Sequence, residues 1–589
     1  MSLQQRGGAL KLAQTGNSIP QLLRGSRRLA CPKFKQLGKP TDVRTLVAAP
    51  QEVPSKEKPV EVQQNDGSYH FFSFADEKPA KKIEPASKNE PASKNEPFAW
   101  TKQWYPVAVL ADMDTSKPHL VRMLGGKYVL WCDSKGEWHC QSDRCPHRLA
   151  PMSEGKIVGD QLQCSYHGWR FQGDGVSSCL STQATPKTHD AKAAHPKSCL
   201  KSFPIELRHG LIWVWPDESP DRFVVAAGTE LAPEAPPEQG KDGFTWHTLL
   251  PWFVRVFPYS METLFDNALD PSHVPWSHHG VIGNRDGVTP IELKVLEPVS
   301  PKGLKTEYFT LGGESTGNSY SNKDEPVDPA TLHVQFRAPH TLVYDTFRQD
   351  GTRAKLLAYA LPTKPGECMV TAQTWDTRPS PLQKLPFSIP TWFYHKVFMA
   401  GGDGDTVLLK EQEMSISELP GGRRAFHTPT KADVGVQMWR QWTERFITGT
   451  SCGPYQLASA SEHESAFLEK HHMPREKALD RYHHHVEKCP ACSNAMETFK
   501  KSTWVAGVAA AVFAQLSLLS ALNLIGPAAA AASGAAVATS LALGPLTVPL
   551  HMVWAAVFAV ASAVCVKLAL VLNDNARSYI FQDYVHAHI

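Results

Sequence analysis

The C-terminal part of the chain contains a long apolar stretch without charge. From Ser502 to Val566 there is no Asp, Glu, Lys or Arg, which is too long for a single buried helix of a soluble domain. Two spans of this region, Thr503 to Ile525 and Leu550 to Leu572, are each long enough to cross about 30 Å of hydrocarbon. The pattern predicts a C-terminal transmembrane helical hairpin over residues 503–572, followed by a tail at 573–589.

Basic residues flank this hairpin and predict its orientation. Lys500 and Lys501 precede the first span, and Lys567 and Arg577 lie at the end of the second. Both ends are therefore expected on the same side of the membrane. The Ala-rich piece from Pro527 to Leu543 is either a turn or a third, shorter apolar element.

Shorter apolar runs separated by turn residues fill the region before the hairpin. Between 98 and 216 the runs YPVAVL, KYVLWC and WHC predict an all-β domain. Between 225 and 450 the runs TLHVQFR, KLLAYALPT and CMVTAQTW predict further strands. Apolar residues spaced by three and four from Met261 to Leu269 predict an amphipathic helix that Asp270-Pro271 ends.

The N-terminal segments have a different composition. Residues 1–41 contain eight Lys or Arg and no Asp or Glu, which is typical of an organelle transit peptide; a basic tail that binds anionic surfaces is the alternative. Residues 42–97 are rich in Pro, Lys and Glu and contain the repeat PASKNE-PASKNE, so we expect a disordered linker. The net charge of only +3 gives no reason to expect nucleic acid as a partner.

Two Cys-His pairs in the β domain indicate a metal centre. Cys145 and His147 are separated by one residue, and Cys164 and His167 by two. A structural zinc site is the simplest alternative, but zinc modules usually pair Cys with Cys in each short loop. One Cys and one His per loop favours a Rieske [2Fe–2S] cluster, in which two Cys hold one iron and two His hold the other.

A second candidate centre lies in the run DPSHVPWSHHG. Asp270, His273 and His278 form an apparent carboxylate and two-histidine triad of the kind that binds non-haem iron. On an ideal helix His273 and His278 would point about 140° apart, so a break near Pro275 is needed to bring them together. His279 is expected to point elsewhere and to contact no metal.

The two cluster loops, CPHRLAPMSEG and CSYHGWRF, resemble those of Rieske non-haem iron oxygenases, and in particular the plastid group that includes pheophorbide a oxygenase. NALDPSHVPWSH is similar to the iron motif N-x2-D-x2-H-x4-H of that family. The resemblance implies that His273 and His278 bind iron, whereas Asp270 links this site to the cluster of a neighbouring subunit. It also implies a helix-grip (START-like) catalytic domain over 225–450, making the fold class α+β.

The third iron ligand is expected in the run AGGDGDTVLLKEQE. Its D-x-V-L-L-x-x-Q pattern is similar to the family segment that carries the final carboxylate, which indicates Asp405, with Asp403 as the alternative. The glycines before it suggest that Asp405 lies in the first turn of a helix, where a simple N-cap is the other interpretation.

A CxxC pair, Cys489 and Cys492, lies in the segment 451–500 just before the hairpin. Such a pair is a redox couple, half of a zinc site with His483 to His485, or two free thiols. Its position resembles that of the CxxC in several members of the plastid group, which makes it a candidate for redox regulation by thioredoxin.

The resemblance implies a complete activity for the chain. It predicts a homotrimeric oxygenase of the chloroplast membrane, inner envelope or thylakoid, with its catalytic domains in the stroma. Ferredoxin would supply electrons to the [2Fe–2S] cluster, and the mononuclear Fe(II) would use O2 to open the macrocycle of pheophorbide a. Protochlorophyllide a oxygenation and phyllobilin hydroxylation are the enzymatic alternatives. A redox-sensing component of the plastid import machinery is the alternative from another class.

Overall fold

The computed structural model describes residues 98–586 except 181–184, 186, 233, 282, 289, 311–329, 380–388, 448–452, 524–539 and 544–545. The expected transit peptide (1–41) and linker (42–97) lie outside the described residues, as does most of the Ala-rich piece between the two predicted membrane spans.

The first folded region consists of three small antiparallel sheets. The strands are β1 (Tyr105–Val109), β2 (His119–Met123), β3 (Gly126–Cys132), β4 (Trp138–Ser142), β5 (Lys156–Val158), β6 (Gln161–Gln163), β7 (Arg170–Phe171), β8 (Ser177–Cys179), β9 (Ser202–Phe203), β10 (Ile205–Arg208) and β11 (Leu211–Val214). The strand orders in the three sheets are β1-β11-β10, β2-β3-β4-β9 and β5-β6-β7-β8. The predicted strands YPVAVL, KYVLWC and WHC are confirmed as β1, β3 and β4.

The second region is built on one seven-stranded antiparallel sheet. Its strands are β12 (His247–Phe257), β13 (Ile291–Ser300), β14 (Gly303–Thr310), β15 (Ala330–Arg337), β16 (Thr341–Arg348), β17 (Arg353–Pro362) and β18 (Cys368–Asp376). Their order in the sheet is β12-β18-β17-β16-β15-β14-β13. The predicted strands TLHVQFR, KLLAYALPT and CMVTAQTW are confirmed as β15, β17 and β18, and the turn KPGE joins the last two.

Helices lie in the first region, against the seven-stranded sheet and in the C-terminal part of the chain. They are α1 (His189–Ala193), α2 (Arg222–Ala227), α3 (Met261–Ala268), α4 (Val274–Ser277), α5 (Thr391–Glu418), α6 (Val434–Phe446), α7 (Ala460–His471), α8 (Arg475–Ala478), α9 (Arg481–His484), α10 (Pro490–Ala521) and α11 (Leu550–Arg577). The amphipathic helix expected at Met261 is confirmed as α3; Ser260 caps it by accepting a hydrogen bond from the Thr263 amide at 3.4 Å. Together with the β region, these elements confirm the predicted α+β fold class.

The two regions share one hydrophobic core. Trp100, at the start of the β region, is fully buried and packs edge-on against Trp442 of α6, with ring centroids 6.3 Å apart. Trp442 in turn stacks on Trp439, which packs against Phe265 of α3. Burial of such large apolar side chains fixes α3, and the run Asp270–Gly280 that follows it, relative to the β domain.

Helix α5 differs from the expectation for its sequence. Its glycines suggested a helix that begins near Asp405, but α5 begins at Thr391 and Asp405 lies near its middle, so the first-turn and N-cap interpretations are wrong. Gly402 and Gly404 serve close packing instead. A Cβ atom on Gly404 would lie 2.7 Å from the Ser277 carbonyl oxygen and 3.0 Å from the Tyr584 ring.

We therefore expect Gly404→Ala to destabilise the protein. The added methyl group meets backbone on one side and a packed ring on the other, so the cost should be about 1–3 kcal/mol of unfolding free energy. Gly228→Ala is the matched control, because a Cβ atom there meets its nearest neighbour at an ordinary 3.6 Å. Denaturant unfolding of the two purified variants measures the difference; equal stabilities would contradict the packing role of Gly404.

Judged by length and composition alone, two of the described helices could cross a membrane. They are α10 and α11, with mean hydropathies of 1.7 and 2.4 in their most apolar windows. They pack side by side, and Ser562 donates a hydrogen bond across the pair to the Ala510 carbonyl at 2.9 Å. Helix α10 begins at Pro490, well before the predicted span, so the CxxC pair lies at its N-terminal end.

The tail after α11 packs against α4, α8 and α9. Arg475 of α8 donates to the Asp583 carboxylate at 2.6 Å, and the Arg481 amide donates to the Ile580 carbonyl at 2.9 Å. The Tyr584 hydroxyl donates to the Ser277 carbonyl at 2.8 Å. The tail thereby supports α4 from behind, which composition alone did not indicate.

Candidate metal centres

The two Cys-His loops of the β domain fold in the same way. The Leu149 amide donates to the Cys145 carbonyl at 2.8 Å, and the Gly168 amide donates to the Cys164 carbonyl at 3.0 Å. Each turn ends on a residue with positive φ, 60° at Leu149 and 72° at Gly168. A glycine takes that conformation without strain, so the sequence of the second loop already favours this turn.

These loops place thiols on the inside and imidazoles on the outside. Cys145 and Cys164 are each only 2% exposed, whereas His147 and His167 are partly exposed. The two imidazole centroids lie 4.5 Å apart, and the His147 ring stacks on Trp169 at 4.8 Å. Such an arrangement has a sulfur end and a nitrogen end, as a [2Fe–2S] cluster with two unlike irons requires.

Two further observations fit a bound cluster. The Nδ1 atom of His167 is buried and has no hydrogen-bond partner among the described residues. Burial raises the pKa of the Cys145 thiol to about 12, so a thiolate at this position needs a cation to compensate its charge. The four side chains therefore suit an iron-sulfur cluster chemically.

The second centre is formed by His273, His278 and Asp405, whose ligand atoms lie within 4.8 Å of one another. The Asp405 carboxylate lies 3.8 Å from the His273 Nε2 and 3.3 Å from the His278 Nε2. A 3₁₀ turn over Pro271–His273 followed directly by α4 brings the two imidazoles to one face. The break thus lies between His273 and Val274, and Pro275 is the second residue of α4.

The electrostatics of this centre suit a cation. Burial alone would raise the pKa of Asp405, but the two imidazoles and the Asn267 amide, which donates to it at 3.4 Å, lower the pKa below its usual value. His278 is buried, whereas His273 and Asp405 are 16% and 17% exposed. Two imidazoles and one carboxylate with an open side are the ligand set of non-haem Fe(II) oxygenases.

Asp403, the alternative ligand, belongs to a different network. Its carboxylate is fully buried and lies 2.5 Å from an Arg255 nitrogen and 2.6 Å from an Arg481 nitrogen. Both arginines are buried as well. Asp403 therefore neutralises two guanidinium groups inside the protein, and it is Asp405 that faces the two histidines.

Replacing Asp403 by asparagine should therefore reduce stability strongly. The change leaves Arg255 and Arg481 buried without a counter-ion, which costs about 3–5 kcal/mol in comparable ion pairs. Asp160→Asn removes a pair with Lys135 whose side chains are 44% and 68% exposed, so it should change the stability far less, because water and salt screen an exposed pair. Chemical unfolding measures both; a cost at Asp403 as small as that at Asp160 would contradict this role.

Asp270 and His279 of the same run lie beside the centre. The Asp270 carboxylate accepts a hydrogen bond from the Ser272 amide at 2.9 Å, and its main-chain carbonyl accepts one from the His273 Nδ1. The His273 proton is thus fixed on Nδ1, leaving Nε2 free for a metal. His279 lies outside the group; its Nδ1 accepts a hydrogen bond from the Arg285 amide at 3.0 Å.

Comparison with known proteins agrees with both centres. Residues 103–204 match the family model of the Rieske [2Fe–2S] domain, and residues 336–421 match that of pheophorbide a oxygenase. The first match contains both Cys-His loops, and the second contains Asp405.

Full-length relatives define the family. The chain is 30% identical over 574 residues to the chloroplastic pheophorbide a oxygenase of Oryza sativa subsp. japonica, covering 93% of this chain and 92% of the relative. It is also similar to the chloroplastic flavonoid 8-hydroxylase 2 of Ocimum basilicum, with 30% identity over 68% of this chain and 74% of the relative. The chloroplastic protochlorophyllide-dependent translocon component 52 of Arabidopsis thaliana is 28% identical, again over 68% of this chain and 74% of the relative. The chain therefore belongs to the pheophorbide a oxygenase family of Rieske non-haem iron oxygenases, which confirms the predicted class of enzyme and both iron cofactors.

Proposed function

We propose that this protein is a ferredoxin-dependent oxygenase of the chloroplast membrane that opens the macrocycle of pheophorbide a. The observation that carries the proposal is the extent of its similarity to the rice pheophorbide a oxygenase, which covers 93% of the chain. The similarity to the flavonoid hydroxylase covers 68%. Oxygenation of a tetrapyrrole therefore has better support than that of a flavonoid.

In this proposal His273, His278 and Asp405 hold the mononuclear iron, and the four cluster ligands are Cys145, His147, Cys164 and His167. When bound, the cluster supplies electrons one at a time and the mononuclear iron supplies the site for reductive activation of O2. The protein fixes the ligand geometry: the Asp270 carbonyl orients His273, and Asn267 orients Asp405. The partly exposed edge of the triad leaves room for O2 and substrate.

We infer that electrons pass between subunits of a trimer. Leu149 and Tyr166, beside the two cluster histidines, are 69% and 60% exposed, so the imidazole end of the cluster offers an apolar surface to another protein. A neighbouring subunit and ferredoxin are the two partners for this surface. Asp270, one turn from His273, is the proposed link between the cluster of one subunit and the iron of the next.

Replacing Asp270 tests this link. Asp270→Ala should keep both iron centres, because the main-chain carbonyl that orients His273 remains. It should slow electron transfer from cluster to iron by about 10–100-fold, the loss in activity usual when a carboxylate bonded to a metal-ligating imidazole is removed, here a cluster histidine of the next subunit. Asp270→Asn is the matched control for local structure, because asparagine also caps the turn at Ser272. Stopped-flow reoxidation of the reduced cluster gives the rate. Loss of mononuclear iron from Asp270→Ala would show instead that Asp270 is a ligand.

The contacts of the hairpin ends support the proposed membrane topology. The Lys396 ammonium of α5 donates to the Asn575 side chain at 2.7 Å, so the end of α11 lies against the catalytic region. If α10 and α11 both cross the membrane, both ends lie on the side that holds the iron sites. If ferredoxin is the electron donor, the side of the membrane that holds the iron sites is the stromal side.

Single-turnover assays test the substrate. The full-length protein, reduced by ferredoxin, is mixed with O2 and pheophorbide a, protochlorophyllide a, a phyllobilin or a flavone, and products are analysed by mass spectrometry. Pheophorbide a should give the highest yield of an oxygenated, ring-opened product. A preference for one of the other three would replace the proposed substrate. No product from any of them would favour the import-component alternative.

A further inference from the structure

A third group of metal-binding side chains lies at the base of α10. It comprises His395 of α5, His485, and the CxxC pair Cys489 and Cys492, with all ligand atoms within 4.8 Å of one another and all four side chains buried. His395 precedes Asp405 by ten residues of α5, a separation of about 15 Å along the helix. We propose that this cluster binds a Zn²⁺ ion through two thiolates and two imidazoles, separate from both iron centres.

The distances match a tetrahedral ion. The His485 Nε2 lies 3.2 Å from the Cys492 Sγ, and the His395 Nδ1 lies 3.5 Å from the Cys489 Sγ and 3.7 Å from the Cys492 Sγ. Zn–S bonds of about 2.3 Å and Zn–N bonds of about 2.05 Å at tetrahedral angles place sulfur and nitrogen about 3.6 Å apart. The three sulfur–nitrogen distances are therefore close to those of a tetrahedral zinc site.

The protonation of His485 is fixed by the backbone. Its Nδ1 lies 2.5 Å from the Val254 carbonyl oxygen of β12, and because a carbonyl only accepts, Nδ1 carries the proton. The lone pair is therefore on Nε2, which points to the Cys492 sulfur. Histidine ligands of zinc commonly donate their second ring nitrogen to a carbonyl or carboxylate in this way.

The surroundings favour a structural metal over thiol exchange. Cys489 and Cys492 are 4% and 0% exposed, and the Phe253 ring stacks on His485 at 4.5 Å. Reaction with thioredoxin requires a sulfur that the partner can reach. A buried Cys2His2 set is instead the arrangement of structural zinc sites.

Zinc at this site would join elements that are distant in sequence. It would tie α5, which carries Asp405, to the segment that leads into the membrane hairpin. Binding replaces the two thiol protons with one divalent cation, and its free energy adds to that of folding. The ion would then hold the catalytic helix at a fixed position relative to the hairpin.

Metal analysis of the full-length protein tests the proposal. The Asp405→Ala background is used, so that zinc cannot be attributed to the mononuclear site. We expect about one zinc per chain there, and a loss of at least tenfold in Asp405→Ala/Cys492→Ser with the Rieske paramagnetic signal retained. Cys199→Ser in the same background is the control and should keep its zinc. Absence of zinc from the background protein, iron in its place, or zinc unchanged by Cys492→Ser would overturn the proposal.

Alkylation of the wild-type protein gives an answer that does not depend on a variant folding. Cys489 and Cys492 should resist iodoacetamide under native conditions, and a zinc chelator should release zinc and expose both thiols together. Peptide mass spectrometry identifies the modified cysteines. A Cys489–Cys492 disulfide in protein purified with reductant, or alkylation that proceeds equally without the chelator, would contradict a bound metal.

Discussion

Replacing Asp405 by alanine should remove the mononuclear iron and leave the Rieske cluster in place. The iron content should fall from about three to about two atoms per chain. The mononuclear site loses its carboxylate ligand, whereas the cluster keeps all four of its ligands. Product formation should fall below detection. Total iron analysis together with the Rieske paramagnetic signal measures both parts of the prediction.

Asp403 provides the contrast for this experiment. It lies only two residues away, yet its carboxylate faces Arg255 and Arg481 rather than the histidines. The folded fraction of Asp403→Asn should therefore keep about three irons per chain, although the protein is less stable. Full iron retention in Asp405→Ala, or iron loss in folded Asp403→Asn, would show that the assignment of the third ligand is wrong.

Replacing Cys164 by alanine should abolish the Rieske cluster. Two buried thiols are needed to hold one of its irons, so the protein should lose both cluster irons and keep about one iron per chain. Electron transfer to the mononuclear site, and with it product formation, should stop. Electron paramagnetic resonance of the dithionite-reduced protein checks the cluster directly.

Cys199→Ala is the control for the loss of a thiol. Cys199 is partly exposed and lies outside both cluster loops, so its replacement should leave the Rieske signal intact. A signal of normal size and shape in Cys164→Ala would contradict the assignment of Cys164 as a cluster ligand.

The metal-binding loops could be predicted from sequence because their ligands are close together along the chain. Cys145 and His147 are two positions apart, and His273 and His278 are five apart, so local spacing carries most of the information. The amphipathic pattern of α3 and its end at Asp270-Pro271 were predictable for the same reason. In each case neighbouring residues determine the backbone conformation.

The extent of α5 and the group formed by His395, His485, Cys489 and Cys492 could not be predicted in this way, because both depend on contacts between segments that are distant in sequence. Three glycines just before Asp405 suggested a helix boundary. Tertiary packing instead needs the small size of two of them within α5, Gly402 against Phe257 and Gly404 against Ser277 and Tyr584. His395 joins a CxxC pair more than ninety positions later, and no local pattern connects them. The sequence suggested His483 to His485 as partners; only His485 reaches the cysteines, and the His483 side chain is 68% exposed.

The most direct test of the account is a single turnover of the reduced full-length protein with pheophorbide a under ¹⁸O2. The wild-type protein should convert pheophorbide a to a ring-opened product that carries ¹⁸O. Asp405→Ala and Cys164→Ala should each give no labelled product. Labelled product in equal yield from Asp405→Ala would contradict the proposed iron site. A wild-type protein with both iron centres loaded that leaves pheophorbide a unchanged would contradict the proposed reaction.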